Sequence, residues 1–201
     1  DSTAEAAKKL GIPVIQKFFG ENLGKQLSIE DKKADLIIGN NVYAHVPDIN
    51  DFTKGLKAVL KNSGIITLEF PHLMNLINDN QFDTVYHEHF SYLSLNTVIK
   101  IFGASGLRVW NVEELPTHGG SLRVYGCHDE DDRETESSVM KLIQKENNSK
   151  LNELQTYTDF QSRIDEIKNK LLAFLIQQKQ DGKKVIAYGA AAKGNTLLNY
   201  A

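Results

Sequence analysis

One short stretch, residues 82–92, carries an unusual density of side chains that transfer protons. Tyr86, His87, Glu88 and His89 are consecutive in it, and aromatic residues flank them on both sides. The unperturbed pKa of histidine lies nearest neutrality, and a neighbouring carboxylate fixes the tautomer of an imidazole and raises its basicity. An extended backbone would alternate these side chains between two faces, whereas a bend would bring them to one site. The stretch therefore predicts general acid–base chemistry.

Two other interpretations of this stretch remain open. The first is a strand-to-helix connection whose polar side chains only satisfy local backbone groups. The second is a metal site built on His87 and His89. That site lacks the i, i+4 histidine pair of helical zinc sites, and the sequence shows no third ligand nearby.

The elements that must position these side chains read as alternating helices and strands. The sequence predicts a helix over residues 2–10, a short strand over 12–15 and, over 32–41, a polar lead-in, a buried strand and a Gly-Asn-Asn turn at its carboxyl end. A helix over 51–61 and a buried strand over 64–70 follow. Strand, helix and strand at this spacing indicate a parallel sheet with crossover helices.

Further elements follow the central stretch. After a helix over 94–102, strands over 107–115 and 121–127 are joined by a short link, which predicts an antiparallel hairpin and a sheet that is mixed at that edge. Residues 134–181 predict a two-helix connector between domains, and a coiled coil is less favoured because the heptad spacing is not sustained. Residues 183–196 predict a strand, a small-residue loop and a helix start, which together present backbone N–H groups to a phosphate.

The composition is that of an ordinary α/β globular protein. With 201 residues, the chain is long enough for one core, or for one domain and part of another. A formal charge of -3 gives no electrostatic reason to expect nucleic acid or a membrane surface as partner. Cys127 is the single cysteine, so an internal disulfide and a cysteine-based zinc site are both excluded, and a reducing cytoplasm is the expected location.

Polar residues mark the places where a ligand would bind to such a sheet. Ligands of open parallel sheets bind beyond the carboxyl ends of the strands. Asn40 and Asn41 end one predicted strand, with Tyr43 and His45 just after them. Asp1 would end a preceding strand and accept the hydroxyls of a nucleoside ribose. The alternatives are a left-handed turn for the Asn pair and a helix N-terminal charge for Asp1.

Four motifs together resemble one known family. In chain order they are residues 41–48 (NVYAHVPD), 86–92 (YHEHFSY), 117–123 (THGGSLR) and 189–196 (GAAAKGNT). They look like the S-adenosylmethionine-dependent sugar C-methyltransferases that act on nucleotide-linked 4-keto-hexoses, such as the TylC3-type deoxysugar C-3 methyltransferases. Four motifs in the family's order are far more specific than any one of them.

The resemblance implies a fold and a domain order. It implies a class I methyltransferase core with a Rossmann-like, mixed sheet over residues 1–130, a helical connector over 131–182 and the start of a second Rossmann-like, nucleotide-sugar-binding domain over 183–201. Members of the family also carry an amino-terminal zinc module, a glycine-rich cofactor loop and a complete last domain. We therefore expect the chain to be the middle of a longer enzyme, with zinc only in the missing module.

The resemblance also implies a mechanism and residue roles. A 4-keto group acidifies the neighbouring C3–H, so a base can leave an enolate whose carbon attacks the methyl group on the sulfonium. His89 is implied as the base and Glu88 as the residue that orients or polarises the site. Tyr86 and His45 would then hydrogen-bond the sugar or the enolate oxygen.

Binding roles follow from the strand ends and from the resemblance. The strand ends predict Asp1, Asn40 and Asn41 as cofactor residues and Tyr43 and His72 as substrate residues. The resemblance adds Lys193, Gly194 and Asn195 to the substrate residues. The loop that contains Lys193 would hold the phosphates of the nucleotide, although a helix start packed on its strand is an alternative. An O-methyltransferase, a non-catalytic sugar-nucleotide-binding module and a metal-dependent lyase remain as alternative functions.

Overall fold

The computed structural model describes residues 2–189 and 192–201. In this part of the chain the strands are β1 (Ala34–Asn40), β2 (Leu60–Pro71), β3 (Leu107–Leu115) and β4 (Ser121–His128). The helices are α1 (Ser2–Lys9), α2 (Glu21–Ile29), α3 (Ile49–Val59), α4 (Leu73–Asn78), α5 (Leu95–Ala104), α6 (Ser137–Asn148), α7 (Leu154–Gln180) and α8 (Ala192–Tyr200).

The strands form one mixed sheet in the order β1-β2-β4-β3. β1 is parallel to β2, and β4 is antiparallel to both β2 and β3. The predicted hairpin and the predicted parallel pair are therefore confirmed. The register pairs Asn40 with Glu69 and Glu69 with Arg123, so three polar side chains lie in a row across one edge of the sheet.

The core lies on one face of this sheet. Alternation along β4 buries Leu122 and Val124, whereas Arg123 on the opposite face is only half-buried. The buried face is covered by residues of α3, α5 and α6, which are Leu56, Val59, Val98, Phe102, Val139 and Leu142. Burial of apolar side chains of this size stabilises the fold by about 1.5–3 kcal/mol each.

The predictions for β1 and for two further strands need correction. Leu36 is 53% exposed and Ile38 is 64% exposed, because β1 is an edge strand and these side chains lie on its uncovered face in the described chain. Residues 12–15 and 183–189 do not form strands. A strand needs a neighbour for its hydrogen bonds, and the described sheet places no strand beside either segment.

Helix α2 was not predicted from the sequence, and glycines decide its packing. A methyl group added at Gly55 of α3 would lie 2.5 Å from the Gly20 carbonyl oxygen, and one at Gly24 of α2 would lie 2.5 Å from the Gly55 carbonyl oxygen. The two helix backbones therefore approach too closely for any larger residue. Such a crossing is decided by contacts between distant residues, which local apolar periodicity does not reveal.

The long polar region after the hairpin forms two helices, α6 and α7, as predicted. A second apolar cluster joins this region to α4 and contains Met74, Leu76, Ile77 and Leu151, with Tyr92 and Phe160 packed against it. Arg163 of α7 also donates to the Ile77 carbonyl at 2.9 Å. Whether these helices act as a connector between domains stays a prediction.

Candidate active site

The central stretch, residues 82–92, is bent and not extended. A bend is the conformation that was expected to bring its polar side chains to one site. It begins with a 3-10 turn over Phe82–Thr84 and continues as an irregular loop. The amides of Phe90 and Ser91 both donate to the Ala44 carbonyl, at 2.9 and 3.2 Å. The loop is thereby fixed against a second 3-10 turn, Tyr43–His45, which follows the carboxyl end of β1.

His89 is held in one tautomer by the backbone. Its Nδ1 lies 2.8 Å from the carbonyl oxygen of Thr84. Because a carbonyl oxygen can only accept, Nδ1 must donate and therefore carries the proton. The half-buried His89 ring lines a small cavity together with Ala44, Thr84 and Tyr92. The neutral ring, protonated at Nδ1, presents the lone pair of Nε2.

His45 is held in the same way and lies against His89. Its Nδ1 lies 2.9 Å from the carbonyl oxygen of Glu88, so this ring also presents a free Nε2. The two imidazole centroids are 4.7 Å apart, and the Tyr86 ring lies 4.4 Å from that of His89. The structure therefore brings together Tyr86, His89 and His45. Glu88 contributes its backbone carbonyl here, and its side chain is exposed.

A cleft of about 550 Å³ opens beside this cluster. One wall consists of Tyr86, His87 and Glu88, and the other consists of residues of α8, namely Asn195, Thr196, Asn199 and Tyr200. The second wall is fixed by Tyr200, whose hydroxyl donates to Asp165 of α7 at 2.6 Å. This bond raises the pKa of Tyr200. The central stretch and the last predicted motif therefore face one another.

The remaining residues of the last motif lie at the edge of this cleft. Lys193 and Gly194 are exposed in the first turn of α8, and Asn195 lines the cleft itself. The predicted phosphate loop also includes Ala190 and Ala191, which lie outside the described residues. Asp1, a predicted cofactor residue, likewise lies outside them.

The predicted Asn pair lies where β1 ends. Asn41 has a φ of 53°, the left-handed turn that the sequence allowed as an alternative. Its amide N–H donates to the Glu69 carbonyl at 2.8 Å, and its side chain lies 3.1 Å from Nε2 of His118. Asn40 is exposed at the carboxyl end of the strand, which leaves its side-chain amide available to a ligand.

Tyr43 and His72 are not brought to the cleft, contrary to expectation. Tyr43 is completely buried and its hydroxyl lies 2.7 Å from Oγ1 of Thr53. Desolvation by this burial raises the pKa of Tyr43 despite the hydrogen bond. His72 is also buried, and its Nε2 lies 2.8 Å from Glu146. The substrate contacts expected of both residues find no support in these positions, because each side chain already has partners in the interior.

Sequence reasoning also missed two residues that shape the site, Thr84 and Ala44, and one buried carboxylate, Glu146, that contacts His72. Thr84 and Ala44 act through backbone carbonyls, so their side chains carry no signal of the role. Glu146 lies within a charged helix. Its one sequence signal is its spacing from Val139 and Leu142, which places a carboxylate on the buried stripe of α6.

Residues 2–189 and 192–201 contain no candidate membrane span and no candidate metal cluster. No helix there is both long and apolar enough to cross a bilayer. The same residues contain no group of three or more histidine, cysteine, aspartate or glutamate side chains that could hold a metal ion.

Comparison with known proteins identifies the class. Residues 3–112, more than half of the chain, match a family model described as a methyltransferase domain. The chain belongs to the S-adenosylmethionine-dependent methyltransferases, and its mixed α/β sheet is the Rossmann-like sheet of that class.

Within this class the chain is similar to C-methyltransferases. Residues 116–201 match a model described as the C-methyltransferase C-terminal domain. The chain is 34% identical over 195 residues to the C-methyltransferase NovU of Streptomyces niveus. The alignment covers 97% of this chain and 46% of that relative, so the chain spans a little less than half the length of the curated relative it matches.

Similar solved structures share part of the fold. The PH0226 protein of Pyrococcus horikoshii OT3 is 19% identical with a TM-score of 0.46, over 62% of this chain and 64% of that one. An O-methyltransferase family protein of Burkholderia thailandensis is 13% identical with a TM-score of 0.45, over 65% of this chain and 40% of that one. These scores are low, and neither similarity carries an argument about activity.

Proposed function

We propose that the protein transfers a methyl group from S-adenosylmethionine to a carbon, C3, of a nucleotide-linked 4-keto-deoxyhexose. One observation carries the proposal: the proton on Nδ1 of His89 is engaged by the Thr84 carbonyl, so Nε2 is available as a general base. The relative that aligns with 97% of this chain is named a C-methyltransferase, which supports the same reaction class.

The proposed chemistry begins with a carbon acid. The 4-keto group makes the C3–H bond acidic, and Nε2 of His89 takes that proton while the bonding electrons move into an enolate. General-base catalysis of this kind typically contributes 10²–10⁴-fold to a rate, roughly. Nε2 of His45 and the Tyr86 hydroxyl are the neighbouring polar atoms that can hydrogen-bond the substrate, and in its protonated form His45 can stabilise the enolate oxygen.

The described residues include groups suited to bind the nucleoside part of the methyl donor, S-adenosylmethionine. When bound, S-adenosylmethionine supplies an electrophilic methyl group on a sulfonium sulfur. The exposed amide of Asn40 at the carboxyl end of β1 has the donor and acceptor atoms that a nucleoside requires, at the edge where open sheets bind ligands. We assign Asn40 and the Asn41 turn to this cofactor, together with Asp1.

The second wall of the cleft suits the nucleotide of the substrate. The N-terminal end of a helix carries a partial positive charge, and Lys193 adds a full one in the first turn of α8. Asn195 reaches the cleft from the same turn. We therefore assign Lys193, Gly194 and Asn195 to the diphosphate, which would leave the sugar near Tyr86 and Glu88.

The experiment uses the complete protein, S-adenosylmethionine and a nucleotide-linked 4-keto-6-deoxyhexose, with the methylated position read by NMR. A methyl group on carbon is expected from the wild type, and a rate lower by about 100-fold or more from His89→Asn. The matched control is His128→Asn, since His128 also contacts a backbone carbonyl but lies at the opposite end of the sheet. Methylation on oxygen would contradict the proposal, and so would binding without turnover.

A further inference from the structure

One buried carboxylate ties three elements together. Glu146 of α6 accepts hydrogen bonds from Nε2 of His72 at 2.8 Å and from the amide of Leu95 at 2.5 Å. The amide and the side chain of Asn96 donate to it at 2.9 and 2.8 Å. Both members of the Glu146–His72 pair are completely buried. The carboxylate therefore links α6 to the end of β2 and caps the start of α5.

The start of α5 is also the point where the His89 loop is attached. Leu93 forms a bridge with His72, and the Leu73 amide donates to the Leu93 carbonyl at 2.9 Å. Ser94 follows as the N-cap of α5. The backbone from Leu93 to Asn96 is thus fixed on both sides, and Ser91 and Tyr92 leave it directly toward His89.

A second contact from the same helical region reaches the loop. Tyr92 packs in the cluster that contains Leu151 and Phe160, which belong to the α6–α7 region. The Tyr92 ring meets that of His89 edge to face, with the centroids 6.0 Å apart. Support for the loop therefore comes from residues well beyond it in the chain.

The residue type at position 146 calls for an explanation. Replacement of a buried ion pair by well-packed apolar residues is often neutral or stabilising, so the packing of α6 does not require a carboxylate. What a carboxylate adds is direction, because it accepts several donors at fixed angles. Here those donors belong to the segment that anchors the loop.

We infer that Glu146 is a positioning residue for the His89 loop. By fixing Leu95 and Asn96 it holds the carboxyl-terminal anchor of the loop, so that the amides of Phe90 and Ser91 stay on Ala44 and Nδ1 of His89 stays on Thr84. The effect of this role on catalysis rests on the proposed function. The structural coupling between Glu146 and the His89 loop does not depend on that function.

Amide hydrogen exchange of Glu146→Gln tests the coupling in the chain itself. We expect the amides of Phe90 and Ser91 to exchange about tenfold faster or more than in the wild type, because the anchor is released. Amides of the central strand β2 should keep their wild-type rates. The matched control is Glu166→Gln, since Glu166 is an exposed carboxylate of α7 that pairs only with Lys170 among the described residues. It should change none of these rates.

Two results would overturn the inference. The first is faster exchange confined to Leu95 and Asn96, which would make Glu146 a local helix cap. The second is a uniform increase that includes β2, which would make its role purely structural. If Glu146→Gln does not fold, Asn96→Ala removes one donor and should give the same pattern at smaller amplitude.

A spectroscopic readout separates positioning from stability. Nitrogen-15 NMR of the wild type should show His89 protonated at Nδ1, and Glu146→Gln should show a mixture of tautomers. An unchanged spectrum in the variant would contradict the inference. Neither measurement needs turnover, so a failure to observe methyl transfer would count against the proposed function and leave this result standing.

Discussion

At the scale of single residues, backbone carbonyls define the site as much as side chains do. The sequence shows which groups can transfer protons, and Tyr86, His89 and His45 do lie together. It does not show that the Thr84 and Glu88 carbonyls engage Nδ1 of the two histidines. Those contacts depend on how the loop folds, so the atom that can act as base was not predictable.

Tyr43 illustrates the opposite case, because a polar residue in a motif lies in the core. Its hydroxyl must donate to Thr53, since the Thr53 hydroxyl already donates to the Ile49 carbonyl at 2.6 Å. We expect Tyr43→Phe to lower the free energy of unfolding by about 1 kcal/mol, measured with urea, and to leave substrate affinity unchanged.

The control for this substitution is Tyr188→Phe, which changes a fully exposed side chain and should leave stability as it is. Unchanged stability of Tyr43→Phe together with weaker binding of the sugar nucleotide would restore the predicted substrate contact.

At the scale of elements, local patterns were reliable where both partners are close in sequence. The hairpin of β3 and β4 follows from two alternating runs and a short link. The strand predicted over residues 12–15 and the burial predicted for β1 failed, because both depend on which strand or helix lies alongside. Apolar residues indicate that a segment packs against another element. They do not show whether a strand or helix lies beside it.

The α2–α3 crossing gives a prediction at this scale. Gly55→Ala should lower the free energy of unfolding by about 1–3 kcal/mol, because the added methyl would press on the Gly20 backbone. Gly103→Ala is the matched control, since Gly103 is helical and nothing lies within 4 Å of the added methyl. Gly103→Ala should raise the free energy of unfolding by up to about 1 kcal/mol, because alanine has a higher helix propensity than glycine. Equal effects of the two substitutions would contradict the close crossing.

At the scale of the whole molecule, the two parts of the chain that match different family models contact each other. Glu146 lies in the part that matches the C-methyltransferase C-terminal domain, and His72 lies in the part that matches the methyltransferase domain. Their buried contact makes the stability of one part depend on the other. The sequence placed both residues in elements of the right kind, but a contact across so many residues left no local signal.

The charge of Glu146 gives this contact a pH dependence. Burial alone would raise the pKa of Glu146, but hydrogen bonds from His72, Asn96 and Leu95 outweigh it and lower the pKa below its ordinary value of 4.5. A lowered pKa in the folded state means that the ionised group adds stability above that value, and that this stability is lost as the pH falls through the folded pKa.

We therefore expect the stability advantage of the wild type over Glu146→Gln to be constant from about pH 6 to about pH 5 and to shrink toward about pH 3. Urea unfolding of both proteins across this range measures it. An advantage that grows as the pH falls through this range would contradict the lowered pKa of Glu146.

The most direct test of the central claim, that His89 removes a proton from carbon, follows the exchange of that proton. The complete protein is incubated in D₂O with the nucleotide-linked 4-keto-deoxyhexose and S-adenosylhomocysteine, which cannot donate a methyl group, and the C3 proton is followed by NMR. We predict exchange at C3 with the wild type and with His128→Asn, and exchange slower by about 100-fold or more with His89→Asn. Exchange at the wild-type rate in His89→Asn would contradict the account.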